Sequence, residues 1–132
     1  MRDKPCLTAT DIHKAMAACL AEAEKNKWNV AIAIVDDGGF LLQFERMEGV
    51  AAISAEVAIG KARTSALTRR PSKFFEDRVK ERPAFANFPA GLLIQGAMPI
   101  MARNECVGAT GVSGVQSHQD EQVAQAGVAA IG

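Results

Sequence analysis

Residues 107–114 read Val-Gly-Ala-Thr-Gly-Val-Ser-Gly and run into Val115-Gln116-Ser117-His118-Gln119-Asp120-Glu121-Gln122. Val107, Ala109 and Val112, with the small residues between them, predict a strand buried on both sides. Glycine inside a strand loses packing and costs entropy, so Gly108, Gly111 and Gly114 imply close approach of another backbone or of a ligand. Ser117 to Asp120 predicts a helix start, with Ser117 and Asp120 at capping-box spacing. A strand that passes through glycine into a helix N-terminus makes an anion-friendly corner. Neither the P-loop spacing nor G-x-G-x-x-G is present, so no nucleotide loop is indicated. A tightly packed strand-to-helix corner would use the same residues.

Upstream of that strand, Arg103-Asn104-Glu105 is a polar turn that pairs Cys106 to Ser113 with an extended stretch at Ala97 to Ala102. Gly91 to Gln95 also reads as extended. Pro99 implies an edge, a bulge or a strand start. Downstream, Ser117 to Ile131 predicts a closing helix, with Val123, Ala126, Gly127 and Ala130 on one side.

The N-terminal half has a matching layout. Thr8 and Asp11 have capping-box spacing, and Ile12, Ala15, Met16, Cys19 and Ala23 recur at helical intervals, so residues 8–26 predict an amphipathic helix. Val30 to Asp36 and Phe40 to Arg46 predict a hairpin around Asp36-Asp37-Gly38-Gly39. Ile53 to Thr68 predicts a helix with Ser54 as candidate N-cap. Its face of Ala58, Ala62, Ser65 and Ala66 would lie close on a sheet, with Lys61 and Arg63 projecting from or beside it. Ser72 and Glu76 start a short helix, Lys73 to Lys80. Residues 81–90, with Phe85 and Phe88, read as an irregular segment pinned by aromatics.

These elements predict a single α/β domain over residues 1–132: a three-layer α/β/α arrangement around an antiparallel sheet of about five strands. With 15 Lys plus Arg against 15 Asp plus Glu, bulk electrostatics gives no reason to expect nucleic-acid binding. No apolar run approaches about 20 residues, so no transmembrane helix is expected. The N-terminus lacks an apolar signal core, which makes a cytoplasmic location the expectation. Cys6, Cys19 and Cys106 are odd in number and far apart, unlike a disulfide framework or a zinc knuckle.

Val35-Asp36-Asp37-Gly38-Gly39, Phe44-Glu45-Arg46-Met47, Lys61-Ala62-Arg63-Thr64-Ser65, Gly96 to Ile100, and Gly108 to Gly114 with Gln119-Asp120-Glu121 resemble, in this order, the GlcG/HbpS-like haem-degrading or haem-binding family. That family includes the C-terminal domain of PduO-type corrinoid adenosyltransferases. The resemblance runs from about Leu7 to the C-terminus. It implies a profilin-like α/β/α fold, assembly into a homo-oligomer, and a small-molecule ligand, with haem or another tetrapyrrole as the candidate cofactor.

Haem iron takes His, Met, Cys or Tyr, and Tyr is absent. His13, beside the apolar stripe of the first helix and in line with Ala17 and Leu20, is the candidate iron ligand; a surface histidine at a packing contact is the plain alternative. Arg46 and Lys61, both within family motifs, are candidates to hold a small carboxylate or tetrapyrrole propionates. The alternative is a structural pair, with Arg46 bonded to Asp36 or Asp120. Ser113, Gly114 and Asp120 complete the candidate ligand corner.

Two other function classes fit the same residues. One is an enzyme, an isomerase, tautomerase or hydrolase of a small carboxylated substrate. There Lys61 or His118 would move a proton and the backbone at Gly111 to Gly114 would face an oxyanion. Ser113 is followed directly by Gly114, which departs from the G-x-S-x-G nucleophile elbow. The other is an oligomeric accessory subunit without chemistry of its own.

Overall fold

The structure is a computed structural model and describes residues 1–131. Its elements are α1 (Ala9–Lys25), β1 (Ala31–Asp36), β2 (Leu41–Arg46), α2 (Ile53–Thr68), α3 (Ser72–Glu81), a 3-10 helix at Pro83–Asn87, β3 (Ala97–Ala102), β4 (Glu105–Ser113) and α4 (Ser117–Ala129). The four strands form one antiparallel sheet in the order β2-β1-β4-β3. α2 covers one face, and α1 and α4 cover the other. This is the three-layer α/β/α architecture expected, built on four strands in place of about five.

The missing strand is Gly91 to Gln95. Gly91 has φ +83°, and the segment bonds to a helix: Leu92 N–H donates to Gly60 O at 3.0 Å, and Thr64 Oγ1 donates to Leu92 O at 2.7 Å. With the N–H and C=O of Leu92 both bonded to α2, the segment is held on that helix and not in the sheet. Pro99 lies on the outer strand β3, where a missing N–H costs no ladder bond.

The two sheet faces differ in kind. Ile32 and Ile34 of β1, with Val107 and Val112 of β4, pack against Met16, Cys19, Val123 and Ala124. On the other face Ala31, Ala33, Val35 and Ala109 meet Ala58, Ala62 and Ala66 of α2. Small residues on both sides let α2 settle on the strands. Gly111 marks the tightest point, because a Cβ there would come within 2.6 Å of Ala62 N. Of the two readings of the glycine run, the approach of another backbone is the one realised at Gly111.

The hairpin turn is held by Asp36, whose Oδ1 accepts from Gly38 N–H and Phe40 N–H, both at 2.9 Å. Arg63 of α2 donates to Gly39 O at 3.0 Å and ties the turn to that helix. The Thr8–Asp11 capping box forms as expected. Two other caps differ. α2 begins after Ala52, leaving Ser54 buried inside the first turn with its N–H donated to Ala51 O. At α4 the box is made by Gln116 and Gln119, because Asp120 is engaged elsewhere. No helix among the described residues is long and apolar enough to cross a membrane.

Candidate functional site

The corner at the end of β4 is built around a buried ion pair. Lys61 lies in the middle of α2, and its Nζ donates to Asp120 Oδ2 at 3.0 Å and to Val112 O at 3.0 Å. The two side chains are 3% and 2% exposed. Gly96, at φ +141°, leaves room for the ammonium, since a Cβ there would lie 2.7 Å from Nζ. Asp120 sits in the first turn of α4, and its Oδ1 accepts from Val115 N–H at 3.1 Å. Burial pushes the Asp120 carboxyl above the usual carboxylate range, against the opposing pull of Lys61 and of the Val115 and Gly114 N–H groups. The anion that this corner holds is therefore Asp120 itself.

Ser113 pairs with Ala31 at the last position of β4 and is buried. Gly114, at φ +146°, turns the chain against Asn29 and Val30. The structure thus brings Lys61, Ser113, Gly114 and Asp120 together, as a strut joining the helix on one face of the sheet to a helix on the other.

Arg46, His13 and His118 are outside that strut. Arg46 ends the outer strand β2, exposed, and bonds to neither Asp36 nor Asp120. Asp36 is committed to the hairpin turn and Asp120 to Lys61, so the structural pair that is the alternative reading of Arg46 does not form. His13 is exposed on α1, next to the exposed Ala17 and half-buried Leu20 of the same flank. His118 is exposed in the first turn of α4. Both imidazoles are open to a ligand.

Cys106 is buried, with Sγ 3.3 Å from Gly108 O, and burial pushes its thiol pKa up. It borders a cleft of about 260 Å³ where Lys4 pairs with Asp37 at 2.5 Å and Arg2 pairs with Glu105. A second cleft, of about 240 Å³, lies between Leu7, Leu42 and Val107 beside Asp36 and Asp37. The third is on the 3-10 helix and the residues that flank it, from Arg82 to Pro89. Sequence reasoning treated that last segment only as pinned by aromatics and missed its cleft. The spacing of Phe85 and Phe88 beside Arg82 was the available signal.

Comparison with known proteins follows the same outline. The chain is 41% identical to Protein GlcG of Escherichia coli K12 over 114 residues, 86% of this chain and 85% of that protein. The crystal structure of a double mutant of Streptomyces reticuli HbpS superposes with a TM-score of 0.93 at 32% identity, covering 100% of this chain and 91% of that one. A structure described as a PduOC:heme complex matches with a TM-score of 0.87 at 25% identity over 96% of each chain. A family model described as haem degrading protein HbpS-like matches residues 7–129. Spanning nearly the whole α/β/α layer structure, that match shows that the chain belongs to the HbpS-like family.

Proposed function

We propose that this protein binds haem or a related tetrapyrrole, as a subunit of a homo-oligomer. The observation that supports this best is an accessible imidazole, His13, on a backbone that resembles the domain solved as a haem complex over 96% of both chains. The donor chemistry fits the group. His13 would hold the iron through a ring nitrogen, and Arg46, exposed and unpaired among the described residues, would take a propionate with its planar fork. Bound haem would supply redox and ligand-binding chemistry at its iron; the chain supplies orientation and exclusion of water.

None of the three clefts includes His13 or Arg46. A ligand of tetrapyrrole size normally buries most of its surface. A second copy facing α1 would supply the missing wall, which links the ligand to self-association. The enzyme alternative is less well supported, because Lys61 is sealed in its ion pair and cannot reach a substrate without opening it.

Titration with haemin tests this reading. A saturable Soret band is expected for the native chain. It should be lost in His13→Ala, weakened in Arg46→Gln and retained in His118→Ala. Absence of any saturable spectral change at micromolar haemin would overturn it.

A further inference from the structure

Four of the six phenylalanines lie between positions 74 and 88, and none belongs to either core cluster. α3 and the 3-10 helix together contribute one buried residue, Ser72. The phenylalanines instead pack on one another outside the core. Phe75 is the hub, with Phe74 edge-on at 5.1 Å, Phe88 at 5.0 Å and Phe85 at 6.1 Å between ring centroids. Three guanidinium groups lie against these rings: Arg70 is 4.3 Å from the Phe74 centroid, Arg78 is 5.9 Å from Phe85, and Arg82 is 5.4 Å from Phe85. Arg78 pairs with Glu81 and Lys73 with Asp77, whereas Arg70 and Arg82 have no carboxylate partner among the described residues. Residues 70–82 carry five cations against three acids, in a chain whose net charge is zero.

Beside this cluster is a cleft of about 220 Å³ lined by Arg82, Ala84, Phe85, Asn87, Phe88 and Pro89. We propose that it is a binding site for a planar aromatic carboxylate of one or two rings, separate from the tetrapyrrole surface. Phe85 and Phe88 present near-parallel rings, 27° apart with centroids at 6.4 Å, a wall on which a flat ring packs in offset contact. Arg82 lies over the Phe85 ring at one end of that wall, and its fork matches a carboxylate two bonds at a time. Asn87 adds amide donors and an acceptor at the rim. Size decides the class. Pockets for drug-sized ligands measure about 300–1,000 Å³, so a cleft of about 220 Å³ matches a small ring system better than a whole macrocycle.

The test is an amide-resolved NMR titration of the full chain with 2-naphthoate, alongside 2-naphthol (ring without carboxylate) and octanoate (carboxylate without ring). Saturable shifts centred on Ala84 to Phe88 are expected with 2-naphthoate, and weaker binding of both controls. Arg82→Gln should weaken 2-naphthoate about two- to fivefold, the size of an exposed ion pair, and leave 2-naphthol unchanged. Phe85→Ala should weaken both ring compounds, about tenfold for a lost aromatic contact. Shifts that never saturate, that fall elsewhere, or that are equal in native chain and Arg82→Gln would overturn the proposal. Haemin titration of Arg82→Gln separates the two sites: an unchanged Soret response supports separation, and its loss would place this cleft in the tetrapyrrole site and end the proposal. A native chain that fails to bind haemin leaves the naphthoate result to stand by itself.

Discussion

Cys19 sits against α4 where Gly127 has no side chain to offer, and Gly127 is buried there because α1 and α4 meet so closely. The thiol is fully buried, and burial pushes its pKa up from 9.0 to about 12. An unfolded thiol releases its proton near its ordinary value, while the folded one keeps it. Between about pH 9 and 12 the unfolded state therefore binds fewer protons, and stability falls as pH rises, by about 1.4 kcal/mol per pH unit from this group. Below about pH 9 the contribution is constant. Denaturant unfolding at stepped pH from about 8 to 10.5 should show that decline in the native chain and a shallower one in Cys19→Ala; equal slopes would assign the decline to other groups. The burial of Cys19 was legible from helical spacing, because residues 12, 15, 16, 19 and 23 fall on one stripe. The partner of Lys61 was not legible, because residue 120 is brought to it only by the crossing of the sheet.

At the level of elements, the helices and both hairpins followed from local pattern, and most strand and helix ends fall within one or two residues of expectation. The departures come from tertiary bonds that local pattern does not encode. Gly91 to Gln95 has an extended composition but bonds to α2, and Ser117 loses its capping role because the next turn is organised by Asp120. The Lys61–Asp120 strut crosses from α2 to α4 past the end of β4, so it fixes how the two outer layers are aligned. Breaking one partner of a buried pair leaves the other charge desolvated and typically costs about 3–5 kcal/mol. Lys61→Met and Asp120→Leu should each lower unfolding free energy by about that much. The double variant should recover most of the loss, since two apolar side chains leave no unpaired charge. A double-mutant cycle by denaturant titration checks this; additive losses in the double variant would show that the pair is not coupled.

The whole molecule is an open sheet with two outer strands, and those strands are not equally protected. β3 carries Pro99, whose missing N–H blunts pairing along that edge. β2 has no proline, and although its register shifts at Leu42, its start is apolar and open: Phe40 is 71% exposed, Leu41 49% and Leu42 41%. An exposed apolar edge of this kind invites association, and the economical closed form is a two-fold pairing in which the same strand meets its copy. Self-association through β2 would also bring Arg46, at the far end of that strand, close to a second chain. If β2 is the contact, replacing Leu41 and Leu42 with lysine removes partly exposed apolar area and adds like charges at the seam. The dissociation constant should then rise about tenfold to a hundredfold, the amount expected from two half-buried leucine side chains. Sedimentation velocity across a concentration series reads this directly. The native chain should sediment as an oligomer and the Leu41→Lys, Leu42→Lys variant should shift toward the monomer while circular dichroism stays unchanged. A native chain that remains monomeric at all concentrations, or a variant that associates as the native chain does, would remove β2 as the assembly surface.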